Sequence, residues 1–244
     1  MRSMTQKLVR TGLLSALLAA SSASWAAATV YFGEDLGLGE GTALAAFPNA
    51  SAAGASFLAA LTGVGTENFE SYSAGTAAPL VLNFAGAGTA TLTGDGAISS
   101  VTPGSTNGFG RYGTSGSKYW QVSNTFGMIF SAPVAAFGFY GIDVGDFNGQ
   151  VQVTTINGGS TLYTVPNSTG VSGGGVLFWG IIDSATPITS LSFGNTAAGT
   201  DVFGFDDMTI GSVQQVNQTP EPGSLALLGL GLAGLAALRR RKPG

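Results

Sequence analysis

Neither cysteine nor histidine occurs in the 244 residues. Without thiols there are no disulfides, no thiolate nucleophile and no Cys-ligated metal. Without imidazole, Ser-His-Asp hydrolysis, the His-containing zinc sites of metalloproteases and His acid–base catalysis are all excluded. Positive charge is scarce and unevenly placed, because of nine Lys and Arg only Arg111 and Lys118 fall between residues 27 and 218. That stretch sets two cations against twelve carboxylates, a net charge of −10. No nucleic acid partner is expected, since phosphate binding needs a basic stripe.

The other seven cations sit at the two ends. At the N-terminus, Arg2, Lys7 and Arg10 precede an apolar run from Leu13 to Ala20, and Ser24-Trp25-Ala26 is a small-x-small cleavage site. This is the layout of a secretory signal peptide, residues 1–26, with cleavage after Ala26. At the C-terminus, Pro220, Glu221 and Pro222 lead into an apolar run from Leu225 to Leu238 that stops at Arg239, Arg240, Arg241 and Lys242. As a helix that run spans ~21 Å at 1.5 Å per residue, short of a ~30 Å hydrocarbon core. It crosses only with snorkelling arginines and local thinning, and the cations hold its end on the cytoplasmic side.

The Pro-Glu-Pro triplet, the marginal helix and the basic cluster together resemble the PEP-CTERM sorting signal of Gram-negative bacteria, a tail some schemes label an ice-binding protein C-terminal domain. The resemblance covers residues 219–244. It implies an exosortase as partner, processing near Pro220-Glu221-Pro222, and a transmembrane sorting helix. The signal peptide adds signal peptidase and the export machinery. The implied location is a transient inner-membrane anchor, then the cell surface or an exopolysaccharide or biofilm matrix.

The body, residues 27–218, is long enough for one domain with its own core. Gly, Ala, Ser, Thr, Val and Phe dominate it and helix-forming charged residues are few, a mixture that favours short strands and many turns. One short N-terminal helix is expected, capped by Asn49 or Ser51, running through Phe57, Leu58 and Leu61 and closing at Gly63. Strands are expected at Asn68–Tyr72, Leu80–Phe84, Thr89–Thr93, Tyr119–Val122, Met128–Phe130 and Ala136–Asp143. Further strands follow at Gln150–Ile156, Ser160–Val165, Val176–Ile182, Ile188–Phe193 and Val202–Ile210. Such spacing predicts a mainly β body, an antiparallel β-sandwich or jelly roll. Asn157-Gly158-Gly159 between two alternating runs marks a hairpin. Pro103–Gly116 has no periodicity and reads as a surface loop holding Arg111 and Tyr112.

Two acidic clusters carry the candidate chemistry. Asp143, Asp146 and Asn148, at a strand end entering a Gly-rich turn, are hard oxygen donors of the kind calcium prefers, without the spacing of an EF-hand loop. The same residue types are ordinary turn formers. In Asp201 to Ile210, Asp206 and Asp207 point to opposite faces of a strand, so one carboxylate lies among apolar side chains and needs a partner. A carboxylate tying a loop to the last strand is the plainer reading. Tyr112, Tyr119 and Trp120 are candidate carbohydrate-binding residues, because an exposed ring offers an apolar face to a pyranose.

The residues and the resemblance together open three functions. The first is a non-catalytic surface or matrix protein that binds or organises exopolysaccharide, not an enzyme and with no cofactor beyond the candidate calcium. The second is a secreted glycosidase using paired carboxylates, chemistry that needs no histidine. The third is ice binding, which only the label given to the resembled tail suggests and for which no repeated Thr-x-Thr array is read.

Overall fold

Period-two alternation of apolar with small polar residues carries most of the fold. In β3 (Leu80–Phe84), Leu80, Leu82 and Phe84 are buried while Val81 and Asn83 face water. The computed structural model describes residues 27–123, 126–197, 199, 201–217 and 229–231. Ala27–Gln218 form one compact unit. The expected signal peptide and nearly all of the expected sorting tail lie outside the described residues. Among those described, no helix is long and apolar enough to cross a membrane.

Every strand pairs antiparallel with its neighbours, in two sheets. The first runs β1 (Thr29–Asp35), β11 (Val176–Ile182), β8 (Ala136–Ile142), β13 (Phe203–Gly211), β6 (Lys118–Val122) and β5 (Ala97–Ser100), with β2 (Thr66–Glu67) also on β13. The second runs β10 (Ser160–Thr164), β9 (Val151–Ile156), β12 (Ile188–Asn195), β7 (Phe126–Val134), β4 (Gly88–Gly94) and β3. Their facing sides enclose an aromatic core in which Phe126 stacks on Phe193 at 4.0 Å between centroids and Phe139 lies 5.2 Å from Phe205.

The other face of the first sheet is covered as well, which is why β8 and β11 are buried nearly throughout. Helix α1 (Pro48–Ala59) lies there and drives Phe57 onto the sheet beside Tyr31 and Phe178. The paired glycines Gly138 and Gly180 make the room, since a Cβ on either would stand 2.9 Å from the Phe57 ring. The second sheet leaves its outer face open. Val81, Ile129 and Leu162 are exposed on it, and its six strands contain no charged residue.

The mainly β sandwich is therefore as expected, including the β9–β10 hairpin closed by Asn157 N–H donating to the Gly159 carbonyl. Several local expectations fail. Asn68–Tyr72 is not a strand, because Phe69 takes a left-handed φ of 61° and the chain turns, Tyr72 N–H reaching the Phe69 carbonyl. Strands β1 and β5 were not anticipated. Neither Asn49 nor Ser51 caps α1. Phe47 stands at the N-cap without a side-chain bond, and Asp35 of β1 accepts the Asn49 and Ala50 amides at 3.3 and 2.9 Å. A Thr-x-Thr rank does exist, Thr89, Thr91 and Thr93 of β4, yet neighbouring β7 presents Gly127, Ile129 and Ser131, so it is single.

Candidate functional site

Four loops converge beyond the ends of β8, β11 and β13, and Asp143 is their centre. It follows β8 with a left-handed φ of 65° and is 3% exposed. Its Oδ1 accepts the Gly174 amide at 2.7 Å and its Oδ2 meets Arg111 Nη1 at 3.1 Å. Burial raises its pKa, opposed by the Gly174 amide and the Arg111 charge. Gly110 passes so close that a Cβ there would overlap the carboxylate and the Gly174 amide, at a φ of 78° that a side chain disfavours.

Arg111 is the clamp. Besides Asp143 it donates from Nη1 to the Val202 carbonyl at 3.2 Å and from Nε to Gln121 Oε1 at 3.3 Å. Its guanidinium carbon lies 5.6 Å from the centroid of Phe109, a cation–π distance. Phe109 is 61% exposed and is the one exposed aromatic side chain among the described residues. Leu36 and Leu38, also exposed, lie on the adjoining loop, which is joined to this site by Gly110 N–H donating to the Glu40 carbonyl.

Asp146 approaches Asp143 as the sequence suggested, and Asn148 does not. A Cβ on Gly173 would lie 2.9 Å from Asp143 Oδ1, 3.1 Å from Glu40 Cγ and 3.2 Å from Asp146 Oδ2, so these acids border one spot. Asn148 instead turns its Oδ1 toward Gly170. Asp146 has its pKa raised to about 6 by burial, then by the charges of Asp143 and Asp201, and its Oδ1 is buried without a partner. Among the described residues no group of three or more carboxylates is arranged to hold a metal ion.

The aromatic platform expected at Tyr112, Tyr119 and Trp120 is absent, since all three side chains are buried. Tyr112 donates its hydroxyl to the Gly174 carbonyl and accepts the Leu44 amide, pinning loops beneath the site. Trp120 stacks near Phe69 in the core. The sequence places Arg111 in a surface loop and groups Asp201 with Asp206 and Asp207, but gives Phe109 and Glu40 no role. The available signal was Gly108-Phe109-Gly110, an aromatic flanked by glycines in an aperiodic loop.

The second acidic cluster is closed. Asp206 is fully buried, its Oδ2 accepting the amides of Thr114 at 2.8 Å and Ser115 at 3.2 Å and its Oδ1 the Asp207 amide at 2.7 Å. Thr114 Oγ1 lies 3.0 Å from both Asp206 Oδ2 and Asp207 Oδ2, while Ser115 Oγ donates to Asp207 Oδ1 at 2.7 Å. One hydroxyl proton makes one full hydrogen bond, and a proton on either carboxyl would let the second contact become another. Burial raises the pKa of both, and for Asp206 the Asp207 charge adds to it. Asp207 takes a left-handed φ of 47° where the β13–β8 register shifts, which is how two successive carboxylates reach one loop.

Residues 218–242 match the family model described as the PEP-CTERM protein-sorting motif. No curated protein matches the chain. Among solved structures, the K2 cleaved adhesin domain of Lys-gingipain matches with a TM-score of 0.38 and 14% identity over 60% of this chain and 97% of that one. The C-terminal family 22 carbohydrate-binding module of Clostridium thermocellum Xyn10B matches with 0.37 and 12% over 63% and 97%. TmCBM61, solved with β-1,4-galactotriose, matches with 0.31 and 14% over 60% and 94%. The architecture stands on the strand pairing above, and nothing about ligands follows from likenesses of this size.

Proposed function

We propose, from the PEP-CTERM protein-sorting motif at residues 218–242, that an exosortase sorts this protein to the cell surface or exopolysaccharide matrix. Its body is a non-catalytic carbohydrate-binding module. The signal-peptide pattern of residues 1–26 supports export. The observation carrying the binding role is Phe109, the one exposed ring among the described residues, held over Arg111, whose partner is the Asp143 carboxylate, at the loop end. An apolar ring next to carboxylates matches the alternating faces and hydroxyls of a sugar.

Against a glycosidase stands the fate of the acids. Asp206 is sealed and Asp143 is paired with Arg111, whereas hydrolysis needs two carboxyls facing across an open cleft. Calcium at Asp143 and Asp146 belongs to this reading through the unpartnered Asp146 Oδ1. The test is a glycan array, including the producing cell's own exopolysaccharide, with residues 27–218 in the presence and absence of calcium. Binding lost on Phe109→Ala, without loss of thermal stability, is the expected result. No binding to any glycan, or binding indifferent to that change, defeats it, and sugar-chain shortening that depends on Asp143 or Asp146 would establish the glycosidase instead.

A further inference from the structure

A sheet edge offers unpaired amides and carbonyls, and exported β-proteins must cover or charge each one. Setting aside the two-residue β2, the sheets end in four strands, and three of these edges are covered. Edge β5 is bound by the preceding segment, Gly75 and Ala78 donating to the Ile98 and Gly96 carbonyls and Ile98 donating to Thr76. On β1, Glu34 and Asp35 are charged, the Asn49 side chain donates to the Glu34 carbonyl, and the start of α1 crosses so closely that Gly33 has no room for a Cβ. On β3, Pro79 stands at the start and the Tyr72 hydroxyl donates to the Val81 carbonyl at 3.0 Å.

The fourth edge, β10, has none of these devices. Ser160-Thr161-Leu162-Tyr163-Thr164 contains no charge and no proline, four of its five residues are exposed, and its backbone bonds only to β9 among the described residues. Its neighbours in the sheet carry no charge either, and register places Leu162 beside Thr154 and Ser192 on the open face.

We propose that β10 pairs antiparallel with β10 of a second copy of this chain about a twofold axis, joining two six-stranded sheets into one. The occupant follows from charge. A body with a net charge of −10 repels its own copies, and this edge lets them approach with no carboxylate opposite another. An antiparallel strand pair is self-complementary under a twofold. Centred on Leu162, the pair sets Leu162 against its counterpart and Ser160 against the partner's Thr164. Five residues a side make a small interface, so the contact is reversible and strengthens where copies are crowded.

The absence of cysteine makes the test direct in the full-length chain in its producing cells. Leu162→Cys, placed opposite its own symmetry mate, is expected to form a covalent dimer under mild oxidation. Val81→Cys and Ile129→Cys, equally exposed on the same sheet, are the controls and are expected to stay monomeric. Adding Ser160→Glu and Thr164→Glu sets carboxylates opposite each other across the pair and is expected to cut the Leu162→Cys dimer several-fold while export continues. No dimer at position 162, equal dimer at Val81→Cys or Ile129→Cys, or a dimer indifferent to the two glutamates overturns the proposal.

Discussion

Arg111 and Asp143 form the ion pair on which the loop end depends. Truncating Arg111 to Ala leaves the Asp143 carboxylate, 3% exposed, without its counter-charge, and breaking such a pair costs ~3–5 kcal/mol. Urea unfolding is expected to show a loss of that order at neutral pH and a smaller one at acid pH, because burial already raises the Asp143 pKa and the carboxyl without its counter-charge takes up a proton instead. A second residue-scale expectation concerns Thr114→Val, which removes the hydroxyl between Asp206 and Asp207 and keeps both amides. It is expected to cost ~1–3 kcal/mol in the same measurement. The sequence showed which acids were present and that one of Asp206 and Asp207 must be partnered. It could not show that Tyr112, Tyr119 and Trp120 are buried or that Phe109 is exposed, because exposure is decided by which loops cover a side chain.

Among the elements, strands were legible where alternation met a turn signal, as in Leu80–Phe84 and the Asn157-Gly158-Gly159 hairpin. Strand β1 was not, since its covering comes from β11 and α1, more than a hundred residues and about fifteen residues away. The helix itself was legible from its apolar spacing, whereas its cap was not, because Asp35 supplies it from another element. Asp35→Ala is accordingly expected to destabilise the body by ~0.5–2 kcal/mol, the worth of a cap, and Ser51→Ala to do almost nothing. Chemical denaturation of the two variants separates a cap lent by β1 from one local to the helix.

For the whole molecule, titration should run opposite to the usual acid lability. Burial raises the pKa of Asp143, Asp146, Asp206, Asp207 and Glu67, while Glu70 is lowered, burial there being outweighed by the amides of Ser117 and Lys118. A carboxyl raised on folding binds more protons folded than unfolded. Its stabilising contribution is complete below the ordinary value of 3.8 and is lost as pH rises through the folded one, about 6 for Asp146. The urea midpoint is therefore expected to fall as pH rises from about 4 to about 6. A midpoint that climbs over that interval would mean that carboxyls lowered on folding, as Glu70 is, outweigh the raised ones.

The place of β13 has a consequence in time. Phe203–Gly211 is the last strand in chain order among the described residues and lies inside the first sheet, between β8 and β6, with β2 beside it. A ribosome or a membrane pore delivers the chain from its N-terminus, so β5 and β6 have no sheet to join until β13 emerges. The hairpins of the second sheet can form as they appear, while β1, β8 and β11 wait with one flank open. Completion of the body is thus postponed to β13, and until that strand arrives the first sheet stands in two separate parts.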